Sequence, residues 1–449
     1  MRIRNWLGAC AIALMAGGPV AAQSLADTLV AAYRNSDLLE QNRALLRAAD
    51  EDVAQAVSAL RPVLSYVATS NYSESPGRDD IVSTIGLEAS LLLYDFGATQ
   101  LRVDLQKESV LALRESLIDI EQNVLLRAAA AHLNVGRQVA TVALQENNVR
   151  LISEQLRAAQ DQFDVGQITR TEVSVAEARL ASSRSSFAAA QGALAQAREE
   201  YNRVTGAYPR VLTASSPPDI PRSEAEARAV AREKHPSIKE AQRNVVVAEL
   251  SVAVAKAALN PTLTGTASVT GSTENGSESV GIRLSGPIYQ GGNLSSVIRR
   301  AQANRDASRS GLHIVQRDID QGVGIAWADL AVAVASQTAA DEEVRAARLA
   351  LRGVREEFQV GQVTTLDVLD REQELLDAQT RLLSAQTDRS IAVYTLLDAV
   401  GLLTVQHLGL GITTYDPAAY YNAVKDAPTV YVSPQGERLD RVLKRLHRE

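Results

Sequence analysis

Two stretches of the chain alternate between apolar and polar residues, and almost everything else advances in steps of three and four. Ile85, Leu87, Ala89, Leu91 and Leu93 interleave with Thr84, Gly86, Glu88 and Ser90, which describes a strand with one oily and one wet face. Leu64 to Tyr72 reads as its partner across the polar turn 73–80. Further on, Thr262, Thr264, Thr266, Ser268 and Thr270 share one strand face, and Val280, Ile282 and Leu284 alternate with Gly281, Arg283 and Ser285. Helical spacing predicts single helices over 24–60 and 223–259, ending at Arg61-Pro62 and Asn260-Pro261 because a residue before proline is pushed out of helical dihedrals. The stripe Val110, Leu113, Leu117, Ile120, Val124, Ala128, Ala131, Val135, Val139 and Val142 belongs to a helix over 98–163. Such a helix, roughly 65 residues at 1.5 Å each, spans about 100 Å. Residues 171–205 read as its return, and 293–358 as a second long helix.

The chain uses this plan twice. Phe163-Asp164-Val165-Gly166-Gln167-Ile168-Thr169 returns as Phe358-Gln359-Val360-Gly361-Gln362-Val363-Thr364, a shift of 195 that also relates Tyr94 to Tyr289 and Gly206 to Gly401. Each copy reads as the tip of a helical hairpin. The predicted division is a segment 1–22, a first repeat 23–210 with a β-hairpin 63–94 and helical hairpin 98–205, and a Pro-rich linker 211–222. A second repeat 223–403 follows, with β-hairpin 262–289 and helical hairpin 293–400, then a polar extension 404–449.

Composition narrows the class. Aromatics are 4 % of 449 residues, which favours long helices over a compact aromatic core, and the net charge of −7 offers no basic stripe for nucleic acid. Arg2, Arg4, the apolar run to Val20 and the small-x-small site Val20-Ala21-Ala22 make residues 1–22 a secretory signal. Leu7-Gly8-Ala9-Cys10 superficially resembles a lipoprotein box, but it precedes most of the apolar run. Cys10, the only cysteine, leaves with the signal, taking with it any disulfide or thiol chemistry. No later stretch has about 18 consecutive apolar residues, so an exported chain of this kind is expected to cross a membrane only as β-barrel strands. Two repeats give four strands, too few for a barrel whose smallest outer-membrane form has about eight, so other copies must complete it. Spacing alone leaves two or three copies open.

Leu93-Tyr94-Asp95-Phe96-Gly97, its counterpart Pro287-Ile288-Tyr289-Gln290-Gly291-Gly292, the paired tips and the opening Ser24-Leu25-Ala26-Asp27 resemble the TolC family of outer membrane efflux proteins over roughly residues 24–403. The resemblance implies a mainly α chain with a small antiparallel β part. It implies a homotrimer whose twelve-stranded barrel sits in outer-membrane lipid above a periplasmic α-helical barrel. It also implies docking to a periplasmic adaptor that serves an inner-membrane pump or ABC transporter. A periplasmic coiled-coil adaptor is the alternative, since it too has long helical hairpins, though usually one hairpin and a lipoyl-like β domain.

Nothing in the sequence points to catalysis or a cofactor. The five histidines are far apart with no metal spacing, and no phosphate-binding glycine pattern occurs. Asp367 and Asp370 share one helix face, and the resemblance places them at the periplasmic pore entrance; ordinary acids of a helix start are the competing reading. The resemblance also assigns the tips to gating and adaptor contact, through Gly166, Gln167, Arg170, Thr171, Glu172, Phe358, Gly361, Gln362 and Val363. Phe358 stands where the family often has Tyr, and Val363 where it commonly has an interlocking Arg, so that lock is missing here. Glu88 and Arg283, equivalent under the repeat, are expected to face a barrel lumen, or else to be solvated strand charges.

Overall fold

The computed structural model describes residues 23–75, 78–213, 217–272, 275–360, 362–429 and 441; the expected signal segment, Gly361 and most of the basic end lie outside the described residues. In chain order the elements are α1 (Leu25–Asn35), α2 (Asp37–Ser58), β1 (Val63–Ser75), β2 (Arg78–Tyr94), α3 (Ala98–Asp164) and α4 (Arg170–Thr205). Then come α5 (Glu224–Lys234), α6 (Pro236–Ala257), β3 (Thr262–Ser272), β4 (Gly276–Ser285), α7 (Asn293–Gln359), α8 (Thr365–Val400) and α9 (Pro417–Val424). Helices in corresponding places have equal lengths, 11, 22, 67 and 36 residues in each series. The strands do not match in this way, at 13 and 17 residues against 11 and 10.

The spans 24–60 and 223–259, expected as single helices, are each two. Ser36 ends α1 with extended dihedrals and caps α2, its hydroxyl accepting from the Leu39 amide. His235 does the same before α6, its ring accepting from the Ser237 amide, with Pro236 at the first helical position. Pro suits that position because its missing N–H would have had no helical partner. The apolar stripe runs on across both joints, so periodicity hides them.

The long helices pair as α3 with α4 and α7 with α8, and two cores lie where short helices cover them. One gathers Leu25, Leu29 and Tyr33 against Leu125, Ala128, Ala129, Leu397 and Leu403. The other packs Ala227 and Ala231 of α5 onto Val323, Ala326, Leu396 and Val400. The alanines let helix axes approach closely. At the end of α8 the backbone of Gly401 turns left-handed at φ 81°, and a Cβ there would lie 2.7 Å from the Cα of His235, so glycine seals this joint. By length and composition α7 contains a window of mean hydropathy 1.3, apolar enough to cross a membrane. Polar residues interrupt that window, so no unbroken apolar run marks it in the sequence. Yet α7 runs 67 residues, about 100 Å, against a hydrocarbon layer of about 30 Å, and it buries Val323, Ala326 and Leu330 in protein.

The four strands form one antiparallel sheet in the order β1-β2-β3-β4, leaving β1 and β4 as open edges. Tyr289, expected to close the second hairpin, lies beyond β4 in an irregular exposed segment. The chain after α8, expected to run out into a polar extension from 404, is more than a polar tail. Leu403 and Val405 are buried in the first core, the Val405 amide donates to Glu121 of α3 at 2.8 Å, and α9 packs on α2.

Candidate functional site: the hairpin tips and the strand faces

The first tip is closed by local backbone bonds. The Gly166 amide donates to Phe163 O (2.9 Å) and the Gln167 amide to Gln162 O (2.8 Å), the paired bonds of a Schellman ending. Gly166 sits at φ 77°, a left-handed turn in which a side chain is strained. Thr169 then opens α4 with a capping box: its hydroxyl accepts from the Glu172 amide, and Glu172 Oε2 accepts from the Thr169 amide at 2.7 Å. Thr171 is exposed, and Arg170 lays its guanidinium over Phe163 at 5.9 Å from the ring centre.

The second tip repeats the chemistry with one acid shortened. The Gln362 amide reaches Glu357 O at 3.0 Å, and Thr364 caps α8, with Asp367 Oδ2 accepting from its amide (2.8 Å) and its hydroxyl (2.7 Å). The hydroxyl bond first, then the amide, holds the Asp367 carboxyl below the usual carboxylate range. Phe358 and Val363 are half-buried. Asp370, one turn on, accepts instead from Arg179 of α4 at 2.6 Å. The two acids thus share a helix but turn to different partners.

The sequence reading missed what joins the hairpins. Ile152, Leu180 and Leu369 form an apolar cluster across α3, α4 and α8. Beside it Glu372, 5 % exposed, accepts from Arg355 of α7 (2.8 Å) and Gln155 of α3 (2.5 Å). A carboxylate at such a position had one visible signal: Glu372 interrupts the apolar spacing of Leu369 and Leu376. Its partners, far away in the chain, left none.

The sheet register sorts the strand residues cleanly. Glu88 lies opposite Ser65 and Ser268, and Arg283 opposite Thr264, which puts both charges on one face. Ser268 and Thr264 are four residues apart on β3, so the charges stand about 13 Å apart along the strand and form no pair. Hydroxyls dominate that face, including the cross-strand bonds Ser268–Ser279 and Thr270–Ser277, each 2.8 Å. The other face carries Leu64, Tyr66, Ile85, Leu87, Val269, Val280, Ile282 and Leu284, all exposed. Tyr72, Tyr94 and Ile81 add to it. One face of the sheet is thus apolar and exposed in the single chain, and the other is hydroxyl-rich.

Among the described residues no group of three His, Cys, Asp or Glu is placed to hold a metal. His132 is buried, bonded through Nδ1 to Thr28 Oγ1 at 2.7 Å, and burial holds its pKa below the ordinary value.

Comparison with known proteins agrees with this geometry. The profile of the outer membrane efflux protein family matches residues 28–207 and 228–402. The outer membrane efflux protein BepC of Brucella suis is 36 % identical over 423 residues, covering 92 % of this chain and 93 % of that protein. The outer membrane protein TolC of Escherichia coli is 26 % identical over 420 residues, covering 86 % and 84 %. In fold, the open-state MtrE outer membrane channel of Neisseria gonorrhoeae superposes with a TM-score of 0.74 at 21 % identity, over 85 % of this chain and 89 % of that one. With the profile spanning both helical hairpins and a relative this similar over nearly its whole length, the chain belongs to the outer membrane efflux protein family.

Proposed function

We propose that three copies of this chain form the exit duct of a tripartite efflux or type I secretion system, a passive conduit across the outer membrane and periplasm. The sheet carries this reading. Its apolar face is exposed along all four strands, its other face is lined with hydroxyls, and both edges are open. Four strands cannot close, and three copies of four give twelve, within the range of outer-membrane barrels. In that barrel Glu88 and Arg283 face the lumen. Below it, an open groove of about 970 Å³ between α7 and α8, lined by Ala333, Ser336, Ala340 and Ala385, gives a neighbouring copy's helices room to pack closely.

The tips form the periplasmic mouth. Three copies of Asp367 and of Asp370 make two rings of carboxylates there, with Arg179 offsetting the second ring. Gly166, Gln167, Arg170, Thr171, Glu172, Phe358, Gly361, Gln362 and Val363 contact a periplasmic adaptor or hold the mouth shut. Glu372 with Arg355 and Gln155 supports the closed arrangement where Val363 offers no cationic lock. The chain carries no chemistry of its own in this role; an inner-membrane pump or ABC transporter supplies the energy. Membrane fractionation tests the reading: the protein is expected in the outer membrane, extracted by detergent as a cross-linkable trimer that forms pores in planar bilayers. A soluble periplasmic monomer would overturn it.

A further inference from the structure

Asp50 of α2 is fully buried, at 0 % exposure, and neither carboxylate oxygen has a hydrogen-bond partner among the described residues. It sits on the helix face of Leu46 and Val53, which pack on Val110 of α3, with Tyr415 and Tyr421 closing the cluster from the C-terminal strap 402–429. An unpaired carboxylate in such a place is costly when charged.

The cation nearest in effect is Arg114 of α3, yet it is bonded elsewhere. Its Nη2 donates to the Pro417 carbonyl at 3.1 Å, its guanidinium lies over the Tyr421 ring at 5.5 Å, and its buried Nε has no acceptor among the described residues. Both Pro417 and Tyr421 belong to α9. Arg114 also lines a cavity of about 540 Å³ between α3 and the strap, which leaves it room to turn.

We propose that Asp50 and the Pro417 carbonyl compete for Arg114, which makes the strap a proton-operated latch. With Asp50 neutral, Arg114 holds α9 against α2 and α3. With Asp50 ionised, the guanidinium turns to the buried carboxylate and α9 loosens.

The other charged groups facing this site are already engaged, while the buried Tyr415 hydroxyl has no hydrogen-bond partner among the described residues. On α2, Arg43 lies between the rings of Tyr33 and Tyr415 (5.1 and 5.4 Å), and Arg47 reaches Glu40 at 3.1 Å. Glu51 accepts from Tyr420 of the strap at 2.8 Å, and Glu121 of α3 accepts from the Val405 amide. Burial raises the pKa of Tyr415, so its hydroxyl stays protonated through neutral pH. Burial likewise pushes the Asp50 carboxyl up to about 6, against the pull of Arg114 and with a smaller push from Glu51. The charge therefore appears on Asp50 as pH rises through about 6, and the latch opens in that direction.

Hydrogen–deuterium exchange of the full-length protein in detergent, corrected for intrinsic rates at pH 5 and pH 7.5, tests this at the amides of 417–424. Protection is expected to fall about tenfold or more between the two conditions, the equivalent of ~1.4 kcal/mol. Asp50→Asn is expected to keep the acid-type protection at both pH values, and Arg114→Gln to lose it at both. Flat protection in the unaltered protein would overturn the latch without reference to any variant. A pH response surviving in Asp50→Asn, or in Asp50→Leu should the first variant fold poorly, would assign the effect to another group.

Discussion

Asp367 and Asp370 show how little a shared helix face says about a carboxylate's surroundings. Asp367 is spent on its own cap, while Asp370 is neutralised by Arg179, whose side chain is about as exposed as its partner's, 40 % against 45 %. An exposed pair of this kind is worth at most about 1 kcal/mol, so it adjusts charge more than stability. In planar bilayers, Asp367→Asn with Asp370→Asn is expected to weaken block by a multivalent cation by about tenfold or more, ~1.4 kcal/mol of binding. Arg179→Ala should strengthen the same block by uncovering Asp370. Unchanged block in both would remove these acids from the pore. Glu372 lies at the opposite extreme, with a side chain only 3 % exposed and paired to Arg355. Arg355→Ala leaves that charge buried beside Gln155 alone. It is expected to loosen the end of α7 by about 1–3 kcal/mol, read as faster amide exchange over 350–359.

Among the elements, those whose ends are set by local chemistry were legible in advance. Both long helices end within a residue of their expected limits: Gly97 and Gly292 mark their starts, Gly166 turns the chain out of α3, and the Thr169 and Thr364 caps open the return helices. The strand faces were legible for a similar reason: alternation has a period of two, so a one-residue error would have put every oily side chain on the hydroxyl face. The joints at Ser36 and His235 were not, since a kinked helix and a straight one present the same apolar stripe. Nor was the strap, whose Leu403 and Val405 look ordinary until α3 lies beside them. Cross-helix partners such as Arg179 and Gln155 arise only in three dimensions. One close approach inside the sheet is testable directly. A Cβ on Gly86 would stand 2.5 Å from Thr270 Cγ2 and 2.8 Å from the Val269 carbonyl. Gly86→Val is therefore expected to disrupt the β2–β3 register and sharply reduce trimer yield. Thr270→Gly in the same chain should restore it only in part, because the Val269 carbonyl is backbone and cannot retreat.

Across the whole molecule, the two halves meet where α3, α6 and α8 converge, and that junction titrates. Burial, then the nearby Asp119, pushes the Asp398 carboxyl up to about 6; burial and Asp119 also raise Glu240. A folded-state pKa above the ordinary 3.8 means that the folded chain holds the proton more tightly than the unfolded one. The stabilisation is complete below about 4 and is lost as pH rises through about 6. Thermal unfolding followed by circular dichroism is expected at a higher temperature at pH 5 than at pH 7.5, and Asp398→Asn should shrink the difference. An equal difference in the variant would assign it to other carboxylates, Asp50 among them. The open edges of β1 and β4 have a different consequence. Helix pairing within one chain proceeds at a rate indifferent to how many chains are present, whereas the proposed barrel, if closed from three chains, would form in proportion to the cube of their concentration. A cell making half as much of this protein would thus lose more than half of its finished ducts. The surplus single chains, each with an unpaired apolar edge, would be the species that chaperones and proteases meet first.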